Sequence, residues 1–384
     1  MKRVFLDNAA TTALHPKVID AMVEAMDGRY GNPSSIHAEG RAARAALEQA
    51  RKTVARFIGA SIGEVFFTSG GTESNNMALK CAVRDLSVVR IISSPTEHHC
   101  VLHSLEAIER SGKARIDFVN IDEKGHVVVP HLETLLQQDA GKTLVSLMHS
   151  NNEIGSMIDL YEIAALCQRY NALFHTDTVQ TMGYFPINVS QTPISFLSGS
   201  AHKFHGPKGV GFIYINKENI VRPFVDGGSQ ERNMRGGTEN FYGIIGLAKA
   251  LQIAGDNMEA NCRQITEVRN YFADQLQQHI EGVRFNGDPF ERGHYKVLSA
   301  SFLASSKSDL LLLNLDVEGI SASGGSACSS GADAGSHVIA ALGGDTTRIT
   351  VRFSFSDLNT REEVDFAIEK LRKLLPATKQ MAIV

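Results

Sequence analysis

The chain has 384 residues, 43% of them hydrophobic, with 38 basic and 42 acidic side chains that leave a formal charge of −4. A chain this long can bury a large core, as one big α/β domain plus a smaller one, and its near balance of charge, with no basic run or aromatic-basic interleaving, argues against nucleic acid as a partner. No uninterrupted apolar stretch approaches a membrane span, since even residues 309–317 carry Asn314 and Asp316, so a membrane role is not expected either.

The amino terminus, MKRVFLDNAATT, has an apolar run of only three residues before Asp7, too short for a signal peptide. Cysteines stand at 81, 100, 167, 262 and 328 with no CxxC pair, which fits a reducing compartment. A soluble, cytoplasmic protein is therefore expected. Cys81, Cys167 and Cys262 lie in segments of helical period and read as packing thiols.

In chain order, helical period over 40–59 leads to a strand at 65–67, and strands follow at 90–92, 116–119, 144–148 and 172–175. Helical segments at 102–112 and 161–172 lie between them. This alternation predicts a mostly parallel sheet wrapped by helices. Strands at 194–197 and 210–215 enclose a loop, SAHKFHGPKG, at the sheet edge. After Gly246 come a long helical region over 247–280, a strand at 349–356 and a helix at 361–375. A smaller α+β domain is expected to begin near residues 245–265.

Three local patterns carry chemistry. Residues 66–77, FFTSGGTESNNM, read as strand, double glycine, hydroxyl and helix, a turn whose backbone N–H groups and helix start suit a phosphate at Gly71 and Thr72. A plain helix start capped by Thr72 would read the same way, and the nucleotide fingerprints are absent. The strand at 172–175 runs on to Asp177 and Gln180, and a carboxylate there can keep a heteroaromatic nitrogen protonated or simply cap a helix. Lys203 lies between His202 and His205, and a crowded lysine amine can form a Schiff base, although a lone loop lysine is usually solvated. Together the three describe a pyridoxal 5'-phosphate pocket.

The segments LDNAATT, GNPSSIHAEGRAAR, FTSGGTESNN, TEHH, HSNNEIG, HTDTVQ, SAHKFHGPKGVG, MRGGTEN, SACSSG and VRFSFS, in order over nearly the whole chain, resemble the NifS/IscS-type cysteine desulfurases of the class V aminotransferase group. The resemblance implies a fold type I pyridoxal phosphate enzyme: a large domain (1–250) with a mostly parallel seven-stranded sheet, and a small α+β domain (251–384) on which the N-terminal segment packs. It implies that Lys203 holds the cofactor as a Schiff base, Asp177 pairs with its ring nitrogen and Gln180 bonds its hydroxyl. His98 would stack on the ring and move protons. Gly71, Thr72, Ser200 and His202 would hold the phosphate, and Thr238 would reach the phosphate of a partner subunit in a homodimer with shared sites. Asn152 and Arg352 would bind the substrate carboxylate. A guanidinium suits that task independently, because its fork grips a carboxylate with two hydrogen bonds.

Cys328 decides between chemistries. It lies in SASGGSACSSGADAGS, a stretch of small residues unsuited to packing a core, where a nucleophile would be free to move. The implied activity is conversion of L-cysteine to L-alanine with sulfur transferred to Cys328 as a persulfide, for delivery to an acceptor protein such as an iron-sulfur scaffold. The alternatives are a selenocysteine lyase or another lyase or aminotransferase of this fold, and, outside enzymes, an inactive scaffold or sulfur-relay protein. An aminotransferase would not need Cys328. His98, His99, Cys100 and His103 are too crowded for one metal ion, so no metal is expected and Cys100 reads as structural.

Overall fold

The computed structural model describes residues 3–138, 141–304, 310–324, 335–345 and 347–375. Cys328 lies outside the described residues. The chain begins with a short strand, β1 (Val4–Phe5). A seven-stranded sheet follows, made of β2 (Val65–Thr68), β3 (Arg90–Ser93), β4 (Arg115–Phe118), β5 (Thr143–Ser146), β6 (Leu173–Asp177), β7 (Phe196–Ser200) and β8 (Gly211–Ile215). Its order is β2-β8-β7-β6-β5-β3-β4. Strands β3 to β7 run parallel, and β8 joins antiparallel between β7 and β2.

Strands β2, β3, β5, β7 and β8 are buried along their whole length, as expected for a sheet covered on both faces. One face carries the helices Gly71–Asp85 and His99–Arg110, whose Met77, Leu79, Val101 and Leu105 pack on Ile91, Leu144 and Ile213. The other carries the helices Ala38–Ile58 and Phe241–His279, which pack on each other and share the larger core. From β3 the chain moves outward to β4, then crosses back to β5 on the opposite side of β3. The sheet therefore has a switch point between β3 and β5, where a crevice opens at the carboxyl ends of the strands.

The remaining strands are β9 (Arg284–Asn286), β10 (Val297–Leu303), β11 (Ile320–Ser321) and β12 (Arg348–Ser354). An antiparallel sheet is formed in the order β12-β10-β9, and β1 pairs with β11 in parallel. The N-terminal segment thus reaches across the molecule to carboxy-terminal residues. Residues 250 and 251 both fall inside the helix Phe241–His279. No helix among the described residues is long and apolar enough to cross a membrane.

The helical region expected from 247 begins at Phe241, capped by the Asn240 side chain, which accepts from Gly243 N–H. Gly243 and Gly246 weaken the helical signal there. Packing accounts for Gly246: a Cβ at that position would lie 2.7 Å from Met22 Sδ.

Candidate active site

A cleft of about 800 Å³, partly open to solvent, lies at the carboxyl ends of β5, β6 and β7. Its walls include Gly71, Thr72, His98, Asn152, Asp177, Gln180, Ser200, His202, Lys203 and Arg352, all singled out from the sequence. Thr238 lies elsewhere, in a hollow it shares with Ser69, Arg235 and Asn240.

Lys203 closes a single 3-10 turn (Ala201–Lys203) directly after β7. Its Nζ donates to the carbonyls of Ala9 (2.7 Å) and Ala10 (2.6 Å), so the LDNAATT segment grips the amine from the far end of the chain. The turn is held in place by Tyr184, whose hydroxyl donates to the Lys203 carbonyl at 2.8 Å. His202 is tied to the same segment through Thr11 Oγ1 at 3.2 Å. Burial, aided by the charges of Lys203, Lys208 and Lys296, pushes the His202 imidazole down to about 4.

Asp177 ends β6. Its Oδ1 accepts from Val179 N–H (2.8 Å) and its Oδ2 from Asn75 Nδ2 (2.6 Å). Asn75 is one helical turn beyond Gly71 and so faces the same cleft. Behind it, Asn75 Oδ1 meets His175 Nε2 at 3.2 Å, and His175 Nδ1 meets Ser146 Oγ at 2.8 Å.

Burial pushes the imidazole of His175 down to about 3 and that of His149 to about 4, so both are neutral in the fold. An unfolded imidazole takes its proton near 6.5. The unfolded chain therefore binds more protons between about pH 6.5 and 4, and stability falls as pH drops through that window. The urea midpoint is expected to be lower at pH 5 than at pH 7, with a shallower decline in His175→Gln. A midpoint that does not move between these pH values would contradict the burial of neutral imidazoles.

Arg352, on β12, is 2% exposed. Its Nη2 pairs with Asp7 Oδ1 at 2.7 Å and its Nη1 donates to the Asn152 carbonyl at 2.7 Å. Its Nε is buried without a hydrogen-bond partner among the described residues. The backbone of Arg352 also pairs with Ser323, five residues before Cys328. On the far side of that segment, Ser336 Oγ donates to Glu153 Oε2, and His337 Nε2 lies 2.9 Å from the Glu97 carbonyl. Both flanks of the cysteine segment are therefore attached beside the cleft.

The residues fit a phosphorylated pyridine. The helix Gly71–Asp85 starts at the cleft after Gly70, with no side-chain cap, so first-turn N–H groups face an anion position beside Ser200 and His202. A Cβ at residue 71 would lie 2.5 Å from Val179 Cγ2, so glycine lets the turn close against the cleft wall. Gln180 donates through Nε2 to the Ala9 carbonyl, while its buried Oε1 has no partner among the described residues, an acceptor suited to a ring hydroxyl. Asp177 supplies the carboxylate for a ring nitrogen.

Ala9, Ala10 and Asn75 line the cleft and Asp7 pairs with Arg352, although nothing in the segments LDNAATT and FTSGGTESNN marks these four as site residues. Cys100, read as structural, lines the cleft. Among the described residues no group of three or more His, Cys, Asp or Glu side chains is arranged to hold a metal ion.

The aminotransferase class-V family model matches residues 4–366. Cysteine desulfurase IscS of Dictyoglomus turgidum is 42% identical, with 100% of this chain and 99% of that protein covered. A solved NifS-like protein superposes with a TM-score of 0.89 at 34% identity, covering 97% of this chain and 99% of that one. The solved structure of SspA in complex with cysteine gives a TM-score of 0.80 at 27% identity, with 94% and 100% covered. The chain belongs to the aminotransferase class-V family of pyridoxal phosphate enzymes, in its branch of IscS-type and NifS-type cysteine desulfurases.

Proposed function

We propose that the protein converts L-cysteine to L-alanine and takes the sulfur onto Cys328 as a persulfide. The observation that carries this reading is the convergence of Lys203, His98, Asp177 and Arg352 on one cleft flanked by both ends of the cysteine segment. When bound, pyridoxal 5'-phosphate supplies an electron sink that makes the substrate Cα proton acidic. Lys203 would anchor it, Asp177 would hold its ring nitrogen protonated, and Gln180 would meet its hydroxyl. Gly71, Thr72, Ser200 and His202 would hold its phosphate.

The substrate carboxylate is gripped by Arg352, with Asn152 beside it, and this fixes the Cα–H bond toward Lys203 Nζ. Lys203 removes that proton. His98, which lines the same cleft, passes a proton to or from the substrate thiol. Cys328 attacks as the thiolate: its sulfur bonds to the substrate sulfur as the Cβ–S bond breaks, the electron pair of that bond stays with the substrate carbon, and a proton taken at Cβ and one returned to Cα by Lys203 leave alanine and a persulfide on Cys328. Five residues can span at most ~17 Å, so from the Ser323 anchor a nucleophile at 328 has reach enough for the cleft beside Arg352.

A second copy of the chain would complete each site, with Thr238 contributing to its neighbour's phosphate position. The division into a large domain of residues 1–250 and a small one of 251–384 belongs to this proposal. A sulfur-acceptor protein, such as an iron-sulfur scaffold, and a cytoplasmic setting complete it.

Replacing Arg352 with lysine keeps a charge but loses the fork. Losing one charge-assisted hydrogen bond lowers kcat/KM for L-cysteine by about 10- to 100-fold. Steady-state kinetics would show this mainly in KM. An unchanged kcat/KM would remove Arg352 from the substrate carboxylate.

A further inference from the structure

His98 is the N-cap of the helix His99–Arg110, and its Nδ1 accepts the Cys100 backbone N–H at 3.1 Å. An imidazole nitrogen that accepts carries no proton, so the proton of the neutral ring is on Nε2. The same Nδ1 lies 3.0 Å from Cys100 Sγ. Because this nitrogen has only a lone pair to offer, the contact has one polarity: the thiol S–H donates and the ring accepts. Cys100 Sγ receives in turn from Asn75 Nδ2 at 3.3 Å, and the same amide nitrogen donates to Asp177 Oδ2 at 2.6 Å. The Asn75 amide and the Cys100 thiol thus join Asp177 to His98 along the lining of the cleft.

We propose that Cys100 is a positioning residue, whose thiol proton joins its own backbone N–H in holding His98 as the neutral Nε2–H tautomer and links it through Asn75 to Asp177. His98 then enters the reaction able to give a proton from Nε2 and unable to take one at Nδ1. This inference rests on the proposed role of His98 facing the cofactor and adds the direction of its proton transfer.

Surrounding charges agree with the geometry. Burial pushes the Cys100 thiol up to about 12, reinforced by the Asp177 charge, so the sulfur keeps its proton. His98 is held below the ordinary imidazole range, chiefly by burial. Lys203, His99 and His337 lower it further and Asp177 opposes them. A thiol so protonated is a poor nucleophile, which separates Cys100 from the sulfur-carrying task assigned to Cys328.

The test is ¹⁵N NMR of the histidine-labelled, cofactor-loaded protein, with the His98 signals assigned through His98→Gln. In the unaltered chain His98 is expected as the Nε2–H tautomer, protonating at a lower pH than a free imidazole. Removing one hydrogen bond to Nδ1 in Cys100→Ala should raise its midpoint by on the order of half to one pH unit. Cys100→Ser, which restores a donor, should return the midpoint toward the original. The acid limb of the kcat profile should move in the same sense. An Nδ1–H tautomer in the unaltered chain, or a midpoint unmoved by Cys100→Ala, would overturn the proposal. Both readouts come from the ring nitrogens without turnover, so failure of the desulfurase reading would appear separately, as missing sulfide.

Discussion

Lys203→Ala is expected to lower desulfurase turnover by about 10⁴-fold, the upper range for losing a positioned acid-base group, before the loss of covalent anchoring is counted. The Lys203 amine sits on the Ala9 and Ala10 carbonyls, and among the described residues no other side chain lining the cleft is an amine. Neither the anchor nor the Cα base is then replaced. The remaining cleft residues still offer the phosphate and ring positions, so the variant should bind pyridoxal 5'-phosphate reversibly, and dialysis should strip it. The lost contacts include those to the Ala9 and Ala10 carbonyls, and the melting temperature should change by only a few degrees. Turnover within tenfold of the unaltered protein would remove Lys203 from the reaction.

Cys328→Ala is expected to reduce sulfide release by at least ~10³-fold while the cofactor stays bound at full occupancy. None of the residues proposed to hold the cofactor lies in the segment that carries Cys328. Cofactor spectrum and turnover should therefore separate in this variant, whereas Lys203→Ala disturbs both. Of the other cysteines, Cys81 and Cys167 are buried in helices and their thiols are pushed up by burial to about 11 and about 12. Neither can stand in as a thiolate. Full sulfide release from Cys328→Ala would return the choice to a lyase or aminotransferase chemistry that needs no thiol.

Much of the large sheet was readable because strands such as β2, β3 and β8 carry buried β-branched and aromatic residues, and these three begin within a residue of the expected positions. Lys203, Asp177, Gly71 and Thr72 were readable for a similar reason. Each sits at a strand end or helix start, and its position follows from local pattern alone. The grip on Lys203 was not, since Ala9 and Ala10 reach it from about 190 residues away through backbone carbonyls that carry no side-chain signature. The same holds for Asp7 against Arg352 and for β1 against β11, contacts that only the closed fold creates. Cys100 illustrates a different limit. Its helix was legible, but its direction depends on His98 folding back to cap that helix, a choice invisible to periodicity.

Desulfuration of L-cysteine in this cleft has a spectroscopic and a chemical signature. The most direct test is an absorbance spectrum of the purified protein before and after adding L-cysteine, with sulfide and alanine assayed in the same tube under reductant. A cofactor band that shifts on adding L-cysteine is expected, with alanine and sulfide formed one for one. A cofactor band with no sulfide would contradict this expectation and move the activity to another amino acid.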